Sequence, residues 1–325
     1  MGKLAFVFPG QGSQSVGMGL DLANNFDAAK TTFADIDKIA GRSLSTLCFE
    51  GPEEELKRTI NTQPTIMATS LAALTAFVSQ GKGKLPEPDF VAGHSLGEIT
   101  ALCAASVLTL PDAIRLVEKR ASLMESCPKG AMAAVLKMPV ATLESLCSEV
   151  QETLKKEGAS DNEAVVLIAN YNTKDQLVIS GAPGAVTRAA TLVKERGGKA
   201  IPLPVGGAFH SPLMSGAASE FAQLLESVDF AEAKFEVVQN FDARGTANAL
   251  QLKEKLAKQM ESPVRWTSCV EYLVAQGVDT IVEIGPGKVL TGLVKKIDES
   301  VRVYNVFDSE SLKLTAQSIL TVPVS

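Results

Sequence analysis

The sequence predicts an α/β protein with two parts: a large body built on a mainly parallel sheet, and a smaller βαββαβ module inserted into it. Three observations carry this prediction. Apolar runs of strand length, LAFVF (4–8), DFVAG (89–93) and DTIVEIG (279–285), punctuate the outer parts of the chain. Long stretches of helical periodicity, such as 66–80, 97–106 and 111–126, lie between them. Strands alternating with helices build a parallel sheet covered on both faces. The third observation is that the middle of the chain follows a different order.

There, AMAAVLKM (131–138) reads as a strand and 140–157 as a helix ending near Gly158. AVVLIANYN (164–172) and QLVISG (176–181) read as two strands around a short polar turn. Residues 184–197 form a second helix, stopped by Gly197 and Gly198, and KAIPLPV (199–205) is a last strand. This is the split-βαβ order of ferredoxin-like modules. The expected boundaries are an insert at 129–198 and a discontinuous large domain of 1–128 and 199–325. No internal repeat is visible, and the tail after about Leu314 carries little pattern.

Bulk composition supports a full-sized core: 325 residues, 46 % hydrophobic and 21 % charged, unlike a disordered chain. A net charge of -6 argues against a dedicated nucleic-acid binder, which needs a strongly basic face. The five cysteines are odd in number and widely spaced without C-x-x-C, and there are only two histidines, so no metal-ligand spacing appears. Such thiols read as reduced, which predicts a cytoplasmic location. The first strand starts at Leu4, which predicts no signal or transit segment in this chain, and no apolar run reaches membrane-spanning length.

Gly93-His94-Ser95-Leu96-Gly97 fits G-x-S-x-G. The pattern is short, but its context is specific: FVAG before it is a strand, and Glu98-Ile99-Thr100-Ala101-Leu102 after it opens a helix. A strand-to-helix elbow presents a serine oxygen at the carboxyl end of a sheet, as in an α/β-hydrolase-like body. The helix N-terminus sets amide hydrogens and a favourable dipole beside a developing oxyanion.

A serine hydroxyl needs a neighbouring base, and only His94 and His210 offer an imidazole. His94 adjoins Ser95, so on a strand it projects to the opposite face. His210, in GGAFHSPLM, follows the strand that closes the insert and is the eligible base. For a third member, Asp242 and Asp279 sit at or beside strand-like segments, and neither has a motif to recommend it.

The helix at 111–126 opens with Thr109-Leu110-Pro111-Asp112, a cap with proline in its first turn. Ala113, Leu116, Val117 and Met124 share one face, with Arg120 at its centre. A guanidinium on a buried stripe is costly unless paired. Three readings are open: a structural ion pair, a stem that snorkels to the surface, or a two-bond clamp for a carboxylate on the far end of a substrate.

Taken together, these residues resemble the malonyl-CoA:acyl carrier protein transacylases and the acyltransferase domains of polyketide and fatty acid synthases. The likeness runs through FPGQGSQSVGMG (8–19), TQPTIMATS (62–70), GHSLGE (93–98), the helix with Arg120, GAMAAVL (130–136), IANYNTKDQLVISG (168–181), GAFHSPLM (207–214), SPVRW (262–266) and EIGPGKVLTGL (283–293). The resemblance implies Ser95 as nucleophile, His210 as base, the amides of Gln11 and Leu96 as oxyanion hole, and Arg120 as holder of the malonyl carboxylate. It implies that a main-chain carbonyl, at Gln259, orients the histidine in place of an aspartate. Gln63, Met124, Asn170 and Asn172 match positions around the substrate cleft. Phe209 matches the malonyl-selective form of its motif, where methylmalonyl-selective relatives carry a smaller residue. Gly206-Gly207 departs slightly from relatives, which often have serine there.

The implied activity is malonyl transfer from malonyl-CoA to the phosphopantetheine thiol of acyl carrier protein, through a malonyl-serine and without a cofactor. The pathway is fatty acid synthesis, with a polyketide pathway as the alternative. A thioesterase or lipase on a similar body, or a non-catalytic scaffold, are the competing readings. An acidic carrier protein needs a local positive surface; Lys253, Lys255, Lys258, Lys288, Lys295 and Lys296 are its candidates.

Overall fold

The computed structural model describes residues 2–321, and their strands form two sheets. In chain order the strands are β1 (Lys3–Phe8), β2 (Phe90–Gly93), β3 (Ala131–Leu136), β4 (Val166–Thr173), β5 (Gln176–Gly181), β6 (Lys199–Pro202), β7 (Glu236–Gln239), β8 (Arg244–Thr246), β9 (Val278–Ile284) and β10 (Arg302–Val306). The larger sheet has the order β10-β9-β1-β2-β7-β8, parallel throughout except for the antiparallel edge pair β7–β8.

Alternation along β1 explains why its sequence is uniformly apolar. Leu4, Phe6 and Phe8 enter one core, with Phe33, Ile66, Phe77 and Leu116. Ala5 and Val7 enter a second core on the opposite face, with Trp266, Val270, Leu273 and Leu290. Neither face meets water. Each phenylalanine buried in this way contributes roughly 1.5–3 kcal/mol relative to exposure.

The helix Thr59–Gln80 runs through the first of these cores, with most of its side chains buried. It starts earlier than the expected 66 and continues through Pro64. Proline cannot donate to the carbonyl four residues back, and that carbonyl, on Ile60, accepts instead from Arg42 Nη2 at 3.3 Å. A side chain from outside the helix thus satisfies the carbonyl that Pro64 leaves without its helical donor.

The smaller sheet has the order β4-β5-β3-β6 and is antiparallel throughout, the ferredoxin-like arrangement. Helices Val140–Lys156 and Pro183–Glu195 cover one face, packing Leu143, Leu146, Val186 and Val193 on Val135, Ile168, Leu177 and Ile179. On the other face, Met132, Ala169 and Val178 join the core of the large body. β6 lies beyond the expected boundary at 198: it pairs with β3 and completes the sheet, so the small module reaches 202. An unexpected short helix, Asp161–Ala164, is held by a capping box between Ser160 and Glu163. The helix Ser309–Thr321 occupies the stretch that carried little pattern, and buries Leu312 and Ala316. Among the described residues, no helix is long and apolar enough to cross a membrane.

Candidate active site

β1 and β2 run parallel with Phe8 opposite Gly93, so both end at the same edge of the sheet. Beyond β2 the chain turns through Ser95, at φ 52°, into the helix Gly97–Ala104. A Cβ on Gly93 would lie 1.9 Å from the carbonyl carbon of Gly97, and one on Gly97 would lie 2.1 Å from the Phe8 carbonyl oxygen. Those neighbours are backbone and cannot give way, so the turn requires both glycines. A serine in the left-handed region costs about 1–3 kcal/mol. Asn240 holds it there: Nδ2 donates to the Gly93 carbonyl and Oδ1 accepts from the Ser95 amide, both at 2.8 Å.

His210, on the loop that returns from β6, is also left-handed, at φ 59°. The Ser95 hydroxyl lies 2.7 Å from its Nε2. Its Nδ1 faces the carbonyl oxygens of Gln259 and Ser262, both at 3.1 Å. Carbonyls only accept, so Nδ1 carries the hydrogen and Nε2 is left as acceptor for the serine proton. Neither aspartate considered from the sequence takes part: Asp242 pairs with Lys255 at 2.9 Å and Asp279 with Arg302 at 2.8 Å. His94 also borders the cleft, but its Nε2 lies 2.8 Å from Asn172 Oδ1, a contact that ties β4 to the elbow.

Arg120 is 1 % exposed. Its Nη1 donates to Gln63 Oε1 at 2.6 Å, and its Nη2 donates to Ser95 Oγ and Gln259 Oε1, both at 2.9 Å. Among the described residues no carboxylate lies within ion-pair distance of it, and its stem does not reach the surface. The one nearby anion, Glu98, stands behind Gln259. Gln259 Nε2 donates to the Ser95 carbonyl at 2.8 Å and to Glu98 Oε2.

These groups face a cleft of about 260 Å³ between the sheets. Of the residues singled out from the sequence, Gln11, Gln63, Ser95, Leu96, Arg120, Met124, Asn170, Asn172, Phe209 and His210 line it. Gln259 sits one layer behind. Among the described residues, the amides of Gln11 and Leu96 have no hydrogen-bond partner, and both residues border the cleft beside Ser95. Gln63 Nε2 lies 3.1 Å from Met124 Sδ, which fixes its carbonyl end toward Arg120. At Gly206 a side chain would meet open space within 4 Å, whereas at Gly207 it would collide with the Phe209 ring and Cys127. A serine at 206 would therefore be tolerated, and the glycine there disturbs nothing.

Electrostatically the site is dry. Burial, helped by the charge on Arg120, pushes His210 down to about 3, so the imidazole is neutral near pH 7. Burial lowers Arg120 to about 10, against the pull of Glu98, and the guanidinium stays charged. Burial raises Glu98 to about 7. A neutral base beside a hydroxyl, with a cation and two unpartnered amides alongside, suits acyl transfer through an ester.

Sequence reasoning missed Glu98 and Asn240. The signal for Glu98 was the one that exposed Arg120, a charge in an otherwise apolar helix, GEITALCA. Asn240 joins residues more than a hundred positions away, and nothing in its neighbours marks it.

A family model described as acyl transferase domain matches residues 5–312. The chain is 44 % identical over 98 % of both chains to a malonyl CoA-acyl carrier protein transacylase of Bacillus subtilis. It is 41 % identical to the Escherichia coli K12 protein of the same name, over 93 % of this chain and 94 % of that one. The crystal structure of malonyl-CoA:acyl carrier protein transacylase from Xanthomonas oryzae superposes with a TM-score of 0.91 at 39 % identity, covering 98 % of each chain. A type II PKS acyl-carrier protein in complex with its malonyl-transacylase supplies another neighbour, with a TM-score of 0.90 at 40 % identity and coverage of 97 % of this chain and 99 % of the other. With its serine elbow, histidine and buried arginine in one cleft, this chain belongs to the acyl transferase domain family.

Proposed function

We propose that the chain transfers malonyl from malonyl-CoA to the phosphopantetheine thiol of an acyl carrier protein, through an ester on Ser95. The observation that carries this reading is Arg120: a buried cation without a carboxylate partner among the described residues, 2.9 Å from the candidate nucleophile. A carboxylate on the acyl tail completes its charge, and a simple hydrolase has no use for it.

His210 Nε2 takes the Ser95 proton as Oγ attacks the thioester carbon. The oxyanion is received by the Gln11 and Leu96 amides, each such donor worth about 3 kcal/mol of barrier. As the C–S bond breaks, His210 returns the proton to the coenzyme A sulfur. The carrier thiol then gives its proton to His210 and attacks the ester. The malonyl group leaves on the carrier, and Ser95 regains its proton. Gln259 orients His210 through its carbonyl, while Gln63, Met124, Asn170, Asn172 and Phe209 shape the pocket for the acyl group.

The carrier docks over the helix Val289–Ile297, whose Val289, Leu290 and Leu293 line the cleft and whose flank exposes Lys288, Lys295 and Lys296. Of the other lysines raised by the sequence, Lys253 donates to the Val228 carbonyl and Lys255 pairs with Asp242, while Lys258 lies over the Phe241 ring as Lys288 lies over that of Phe307.

Incubation with malonyl-CoA followed by intact-protein mass spectrometry tests the reading. One malonyl group should add to the chain, vanish in Ser95→Ala, persist in water and leave on addition of a carrier protein. A chain that gains nothing is a scaffold, and one that empties itself without a carrier is a hydrolase.

A further inference from the structure

We infer that Glu98 is a positioning residue for this reaction, the single buried carboxylate from which the serine elbow, the histidine and the arginine are all held. The inference rests on the roles just given to Ser95, His210 and Arg120.

Two arms run from Glu98. Oε1 accepts from the Asn240 amide at 2.5 Å, and the Asn240 side chain clamps both ends of the elbow, at Gly93 and Ser95. Oε2 accepts from Gln259 Nε2. Gln259 is the hub of the other arm. Its Oε1 receives Arg120, its Nε2 also donates to the Ser95 carbonyl, and its own main-chain carbonyl receives His210 Nδ1.

The orientation of Gln259 is forced. Arginine only donates, so the amide oxygen must face Arg120 and the nitrogen must face Glu98. Both oxygens of Glu98 therefore meet donors, which a carboxylate satisfies and a carboxylic acid or an amide cannot. Glu98 is 1 % exposed, so water cannot substitute for either arm. The charges balance across the hub, with an anion behind Gln259 and a cation in front of it.

A pH signature follows. The charged or titratable groups facing Glu98 are Arg120 from the helix Leu110–Glu125, Asp242 after β7, and the Cys269 thiol from the helix Trp266–Ala275. Burial outweighs the pull of Arg120 and raises Glu98 to about 7. His210 lies near 3. Loss of acylation on the acid side of neutrality thus reports Glu98 rather than the base: protonation turns an O–H toward a donor and releases one arm.

The test compares wild type, Glu98→Gln, Glu98→Asp, Gln259→Ala and the Glu98→Gln/Gln259→Ala double variant. Formation of malonyl-Ser95 is followed by rapid-quench mass spectrometry from pH 5 to 9, with folding checked by thermal unfolding. Glu98→Gln should acylate about 10²-fold more slowly on the alkaline side, the size of loss expected from a misplacement of about 1 Å. It should also lack the acid limb, and Gln259→Ala should add little to it, because both act on one hub. Glu98→Asp keeps the charge but is too short to reach both donors, and should also be slow; it decides the matter if Glu98→Gln does not fold. Wild-type rates in the folded variants, an acid limb retained by Glu98→Gln, or losses that multiply in the double variant would overturn the inference. A wild-type chain that gains no malonyl defeats the proposed function itself, whatever residue 98 does.

Discussion

Arg120→Ala separates recognition of the acyl tail from chemistry at the serine. The guanidinium now donates to Gln63, Ser95 and Gln259. A substrate carboxylate that takes two of its N–H groups forms two charge-assisted bonds, each worth about 1.5–3 kcal/mol. It displaces existing bonds to Ser95 and Gln63, so the lower end, about 3 kcal/mol for the pair, is the expected net gain. At about 1.4 kcal/mol per decade, that is about 10²-fold in kcat/KM for malonyl-CoA. An acetyl group has no carboxylate and loses nothing of this kind. Removing the cation also leaves the buried Gln63 and Gln259 oxygens without their donor, at about 1–3 kcal/mol of stability each, so part of the protein will be unfolded. Measuring malonyl-CoA and acetyl-CoA on the same preparation cancels that fraction. The malonyl-to-acetyl ratio of kcat/KM should fall about 10²-fold. If both rates drop together and the ratio holds, Arg120 is a structural cation and the clamp is refuted.

Two further perturbations read other parts of the site. Phe209 is 5 % exposed and lines the cleft; Phe209→Ala should raise the methylmalonyl-to-malonyl rate ratio by about 10-fold or more, the scale of one extra methyl group in a pocket. It should also cost about 3–5 kcal/mol of stability in denaturant titrations, and an unchanged ratio would show that the ring does not bound the acyl pocket. The second perturbation concerns stability against pH. Burial raises Glu98 from 4.5 to about 7, so between those values the folded chain holds a proton that the unfolded chain has released. This carboxyl therefore withdraws stability as pH rises through the window, by at most about 1.4 kcal/mol per pH unit. Glu98→Gln removes the dependence, so the stability of wild type relative to the variant should decline across that window in urea titrations. A constant difference would contradict the burial argument.

The elements with strong local pattern were legible in the sequence, and those made by distant contacts were not. LAFVF announced β1 because both faces of that strand are dry, and QLVISG gave the bounds of β5. β7 and β8, of 4 and 3 residues, are too short to carry a period; β7 forms on the edge that β2 offers, and β8 on the edge of β7 in turn. The helix expected at 66–80 begins at Thr59 and runs through Pro64, where the carbonyl that proline leaves without its helical donor accepts from Arg42. At the site, Ser95 was visible through its glycines, Arg120 through its misplacement on an apolar stripe, and His210 by elimination. Whether Arg120 had a partner could not be read, because the answer is Gln259, 139 positions away. Asn240 was invisible for the same reason, since its contacts to Ser95 and Gly93 span 145 and 147 positions.

The paired ends of β1 and β2 have a consequence for how such an enzyme can fail. Phe8 and Gly93 are opposite one another, and Gln11 and Leu96 each stand three residues further along their own loops. Because Asn240 already occupies the Ser95 amide, the two vacant amides come from separate loops at equal offsets. Slippage of one strand against its neighbour by a single step would pull them apart while every side chain in the cleft kept its identity. With the oxyanion role proposed for these two amides, turnover becomes a gauge of hydrogen-bond alignment at the centre of the sheet. Core substitutions between β1 and β2 can silence it without touching a residue that meets substrate.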